Sequence, residues 1–72
     1  DALRVAVAEL PAIYRAPVIL RDLRGLSTEE ASRRLNVKDQ TLKSRLHRGR
    51  LILRERLAAF AGGLALHHAA TA

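Results

Sequence analysis

The chain contains no cysteine, no methionine and no tryptophan, and its only aromatic side chains are Tyr14 and Phe60. Without cysteine there is no disulfide framework and no thiolate zinc site, which suits a reducing cytoplasm. No apolar run approaches the roughly 18 residues needed to span a bilayer, and no signal-peptide pattern opens the chain. The chain begins with Asp1 and has no methionine, so it is expected to be a segment of a longer protein. Acidic side chains are also few. Asp22, Glu29, Glu30, Asp39 and Glu55 each suit a helix cap or surface charge, and no nucleophile-base pair or phosphate loop accompanies them. Neither an enzyme nor a cofactor is expected. His67-His68 do not share a helix face and no third ligand lies near them, which argues against a metal.

Hydrophobic residues make up 49% of the 72 positions, and Leu and Ala dominate them. That supports one small domain built from helices packed on helices, an all-α fold near the lower size limit for an unstapled core. The formal net charge is +6. It is concentrated: Lys43, Arg45, Arg48, Arg50, Arg54 and Arg56 face only Asp39 and Glu55 between residues 39 and 58. A basic helix beside an apolar seam is the electrostatic footprint of nucleic-acid binding. An acidic protein partner is the competing reading of the same charge.

In chain order, Leu3, Val7 and Leu10 suit a short amphipathic helix, and Pro11 stands at the first turn of the next one. The apolar set from Ile13 to Leu23 predicts that second helix, with a kink or restart at Pro17 and a C-cap at Gly25. Ser27-Thr28-Glu29-Glu30 reads as a capping box opening a third helix that ends near Leu35. Asn36 tolerates the left-handed turn that follows, Val37 fills the wedge between helices, and Asp39 suits the positive end of the fourth helix. Leu42, Leu46, Gly49, Leu53, Leu57 and Phe60 then recur at helical spacing. Gly49 in that stripe predicts close packing against a neighbour, and Gly62-Gly63 predict the helix end. The expected division is a domain over 1–60, with a helix-turn-helix at about 27–58, and a flexible tail over 61–72.

In a helix-turn-helix the second helix presents its N-terminal residues to base edges in the major groove. Opposite the Leu42–Leu46–Leu53 seam lie Gln40, Lys43, Ser44, His47 and Arg48. Lys43 and Arg48 can donate to guanine, and Gln40 is the type that pairs with adenine. Ser44 permits close approach, and His47 can donate or rest on a thymine methyl. Arg33, Arg34, Lys38, Thr41, Arg45 and Arg50 are candidate phosphate contacts.

The run LPAIYRAPVILRDLRGLSTEEASRRLNVKDQTLKSRLHRGRLILRERL resembles region 4 of a bacterial extracytoplasmic-function (ECF) sigma factor. The resemblance spans roughly residues 3–58 and is carried by LP-x-x-YR-x-P-V-x-L-RDL-x-GLS and T-L-K-SRLHRGR. It implies a small four-helix domain of the winged-helix-like DNA-binding superfamily without a wing, which recognises the minus-35 promoter element as duplex DNA. It also implies docking on the β flap of core RNA polymerase, with Val18, Leu20 and Leu57 as candidate contacts. An anti-sigma factor is a further implied partner. A cytoplasmic monomer, nucleoid-associated in the holoenzyme, is expected. The chain departs from the family pattern at Ala31-Ser32 in place of Ile-Ala, at Asn36 in place of the turn Gly, and at Gln40 in place of the Gly before Thr41. A LuxR-type response-regulator output domain shares the GLS and TLK frame and is the alternative DNA-binding reading. A module serving mainly as a protein-interaction target is the alternative from another class.

Overall fold

The computed structural model describes the backbone of residues 1–71 and side chains through Phe60. Four helices account for the ordered backbone: α1 (Ala2–Ala8), α2 (Ala12–Val18, continued by a π turn over Ile19–Leu23), α3 (Thr28–Leu35) and α4 (Asp39–Thr71). No strand occurs among the described residues.

Each helix starts and stops for a local reason. Asp1 caps α1 by accepting the Arg4 backbone N–H at 2.9 Å. Its buried side is Ala6 and Val7, continued by Leu10, whereas Leu3 is 43% exposed. The expected Leu3–Val7–Leu10 face is therefore rotated toward small Ala6, which lets α1 approach its neighbours closely. Pro11 occupies the N-cap of α2, where a missing N–H removes nothing.

Pro17 neither restarts the helix nor breaks it. Val18 and Ile19 keep right-handed helical dihedrals. The chain then widens by one residue, with the Arg24 N–H donating to the Ile19 carbonyl at 2.9 Å, five residues back. Gly25 follows at φ +73, a left-handed setting that ends the helix and strains any residue with a Cβ.

The capping box on α3 is complete. Glu30 N–H donates to Ser27 Oγ at 3.1 Å, and Ser27 N–H donates to Glu30 Oε1 at 3.2 Å. At the other end Asn36 is left-handed at φ 54, ψ 48. The Val37 N–H reaches the Ser32 carbonyl at 3.0 Å and the Asn36 N–H reaches Arg33 at 3.1 Å, the paired bonds of a Schellman turn. Val37 itself packs on the Leu20–Ala31–Leu42 cluster and fills the wedge between α3 and α4.

Two apolar clusters form the core, and α4 runs through both. Leu42 joins Leu20 and Ala31, with Leu26, Leu35 and Val37 around them. Leu46 and Leu53 join Ala6, Val7, Leu10 and Val18, with Ile19, Ile52 and Leu57 at the margin. Phe60 remains exposed and Leu57 is half-buried, so the fully buried part of the stripe ends at Leu53. The helix runs to Thr71, beyond the end predicted at Gly62-Gly63. Ala and Leu on both sides of that pair favour helix and offset the roughly 1 kcal/mol each glycine costs.

Gly49 marks a close approach between α4 and α2. A Cβ there would lie 2.9 Å from Val18 Cγ2 and 3.2 Å from the Tyr14 carbonyl oxygen. Alanine would gain up to about 1 kcal/mol of helix propensity, while overpacking against an immobile neighbour costs about 1–3 kcal/mol. Gly49→Ala is therefore expected to destabilise the domain in urea unfolding. Adding Val18→Ala should cost less in that background than in the parent. A more stable Gly49→Ala variant would contradict the close packing.

Candidate nucleic-acid interface

The N-terminal half of α4 divides cleanly into two faces. Leu42, Leu46, Gly49 and Leu53 are buried. Gln40, Lys43, Ser44, His47 and Arg48 are all exposed, and their spacing of three, one, three and one residues places them on a single stripe. The core thus aims these side chains outward as one surface of about two turns. Thr41 and Arg45, four residues apart, are partly buried at its edge. Arg33 and Arg34 are exposed in the last turn of α3, and Lys38 is exposed in the connecting turn. Every base-reading and phosphate candidate except Arg50 therefore lies on the helix-turn-helix with no acidic side chain paired to it among the described residues.

Arg50 has a structural partner. Its Nε and Nη2 donate to both carboxylate oxygens of Asp22 at 3.0 and 2.6 Å, tying the π turn to α4. These hydrogen bonds hold the Asp22 carboxyl below its ordinary value of 3.8 and raise the Arg50 guanidinium. Glu30 is likewise lowered, first by the Ser27 backbone N–H of the capping box. A second ion pair, Arg56 with Glu9, joins α4 to α1.

The candidate polymerase contacts separate sharply. Val18 and Leu20 are 1% and 7% exposed and belong to the two core clusters, so neither can reach a partner surface. Their apolar character serves the fold. Leu57 instead lines an open groove of about 320 Å³ between α1 and α4, with Ala2, Val5, Ala6, Glu9, Arg56 and Phe60.

Helical periodicity did not reveal several side-chain contacts. The Arg15 guanidinium donates to the Ala8 carbonyl at 3.0 Å, and Arg21 donates to Leu26 at 2.6 Å, each linking neighbouring elements. Ser32 of α3 hydrogen-bonds the Asp39 carboxylate at the start of α4. The side chains of His67 and His68 lie outside the described residues.

The family pattern described as sigma-70, region 4 matches residues 1–53, which include α1 to α3, the start of α4 through Leu53 and the whole exposed stripe. The chain belongs to the sigma-70 region 4 family. It is also 50% identical over 56 residues to the ECF RNA polymerase sigma factor SigE of Mycolicibacterium smegmatis, covering 78% of this chain and 22% of that protein. The chain thus spans about a fifth of the length of this curated relative. These matches favour the sigma reading over the LuxR-type alternative. Region 4 is a DNA-binding domain of transcription initiation and not an enzyme family. No helix among the described residues of this region 4 domain is long and apolar enough to cross a membrane.

The Asp22–Arg50 pair makes the domain's stability depend on acid. A carboxyl lowered by folding stabilises above its unfolded value, and that contribution fades as pH falls below about 3.8. Because both side chains are partly solvated, the pair is worth no more than about 1 kcal/mol. Asp22→Asn should lower the melting temperature at pH 7 by a few degrees and leave it nearly unchanged at pH 2. An equal deficit at both pH values would show that Asp22 acts by packing and not by charge.

Proposed function

We propose that this region 4 domain recognises the minus-35 promoter element by laying the first turns of α4 in the major groove. The observation that carries this reading is the exposed stripe of Gln40, Lys43, Ser44, His47 and Arg48 opposite the buried Leu42–Leu46–Gly49–Leu53 seam. A helix that is core on one side and polar on the other can enter a groove without disturbing its own packing. Lys43 and Arg48 donate to guanine O6 and N7, Gln40 pairs with adenine, and Ser44 and His47 take the positions between them. Arg33, Arg34, Lys38, Thr41 and Arg45 contact phosphates and set the register. Arg50 braces α4 through Asp22 and is left out of the phosphate set.

A separate surface serves the polymerase. The α1–α4 groove with Leu57, Val5 and Phe60 takes an apolar segment of the β flap, while the DNA-facing stripe stays free. Leu57 and Val5 sit in a concave apolar site rimmed by the Glu9–Arg56 pair, a shape suited to a helix or loop with a few apolar anchors. This action belongs in the bacterial cytoplasm, on the nucleoid.

Binding to a selected duplex should weaken with salt along a log–log slope of about −4 to −5, which corresponds to roughly four to six phosphate contacts. Arg48→Ala should reduce discrimination between duplexes, whereas Arg34→Ala should weaken all of them similarly. Salt-independent affinity would sink the groove reading. Leu57→Asp should abolish capture of a β-flap fragment while duplex binding stays within about twofold. Loss of both together would point to unfolding instead of a docking defect, and circular dichroism separates the cases.

A further inference from the structure

The first turn of α4 carries a negative charge where a DNA-binding surface is otherwise positive. Between Ala31 and Arg54 the chain has eight basic side chains and a single carboxylate, Asp39. Asp39 immediately precedes Gln40 and lies one helical turn before Lys43, at the leading edge of the exposed stripe. A carboxylate free to rotate there would repel phosphates, or would accept from the amino group of a cytosine.

The structure restrains it from the opposite helix. Ser32 is 3% exposed, and its hydroxyl lies within hydrogen-bond distance of both the Asp39 carboxylate and the Glu29 carbonyl, the latter at 3.1 Å. One hydroxyl has one proton. A serine inside a helix ordinarily returns it to a carbonyl one turn back, which here is Glu29. The charged acceptor forms the stronger bond, so the proton goes to Asp39. That bond crosses the turn between α3 and α4, from a buried position in the scaffold helix to the first residue of the reading helix.

We propose that the Ser32–Asp39 hydrogen bond positions the first turn of α4 for base recognition. It turns the Asp39 carboxylate toward α3 and away from the phosphates. It also holds the backbone that displays Gln40, Lys43 and Ser44 in one setting. Neither residue touches DNA through this bond. Both are positioning residues whose effect is exerted through the exposed stripe. The inference rests on the groove-binding role proposed above.

A double-mutant cycle on this chain tests it, with duplex selection and affinity read beside the melting temperature. Ser32→Ala removes the hydroxyl from a site that accepts a methyl, so the fold should persist. With Asp39 present, it should lower affinity for the selected duplex by roughly threefold to tenfold and change the preferred base nearest the start of α4. In the Asp39→Ala background the same change should alter affinity by less than about twofold and leave the preference alone, because the serine has lost its partner. Asp39→Asn, which keeps an acceptor for the hydroxyl, should retain the parent's base preference. Equal effects of Ser32→Ala in both backgrounds, or an unchanged preference in the parent, would overturn the inference. A parent chain that binds no duplex would overturn the groove reading itself, and the two failures are thereby distinguished.

Discussion

A single helix serves as both the interior and the exterior of this domain, and its rotation about its own axis is the constraint on which the rest depends. Leu42 is completely buried against Leu20 and Ala31, and Leu46 and Leu53 are buried against Val18, Val7 and Leu10. Gly49 lets the backbone of α4 come within contact of Tyr14 and Val18, so the seam is tight and cannot roll. With that side committed, Gln40, Lys43, Ser44, His47 and Arg48 have only one direction left. A roll by one residue, about 100°, would bring Lys43 toward the core, and burying an unpaired charge is far costlier than losing a surface contact.

The polar links are secondary in energy and primary in geometry. The exposed Asp22–Arg50 and Glu9–Arg56 pairs contribute at most about 1 kcal/mol each, less than the burial of one leucine side chain. They act at chosen places, however. One ties the π turn to α4 behind the reading surface, and the other ties α1 to α4 beside the apolar groove. The π turn after Pro17 belongs to the same scheme, since it brings Leu20 to one cluster directly after Val18 has joined the other. Arg50 shows how a basic residue on a strongly basic helix can be recruited to hold that helix in place.

Two surfaces result, and in the proposed reading they face different partners. The basic stripe lies at the N-terminal half of α4, while the groove of Val5, Leu57 and Phe60 lies farther along the same helix against α1. A region 4 domain that bridges promoter and polymerase would need such a separation, so that occupation of one surface leaves the other open. The rigid helix between them fixes the spacing without requiring any conformational change.

What the sequence by itself determined was whatever is written within one helical turn. The capping box at Ser27 and Glu30, the left-handed Asn36, the buried seam from Leu42 to Leu53 and the tight site at Gly49 all follow from spacings of three or four residues and from residue type. The exposed stripe followed as the complement of that seam, and the run from LPAIYR to SRLHRGR pointed to the family. Only the tertiary structure decided which apolar residues are interior and which stay accessible: Val18 and Leu20 look no different from Leu57 in sequence, yet of the three only Leu57 is accessible at the groove. It also decided the exposure of Leu3, the widened turn after Pro17, the capture of Arg50 by Asp22 across 28 residues, and the bond from Ser32 to Asp39. The physical reason is that periodicity records which side of a helix is apolar. It carries no information about which other helix meets that side, and a hydrogen bond between helices exists only once their packing has set the distance.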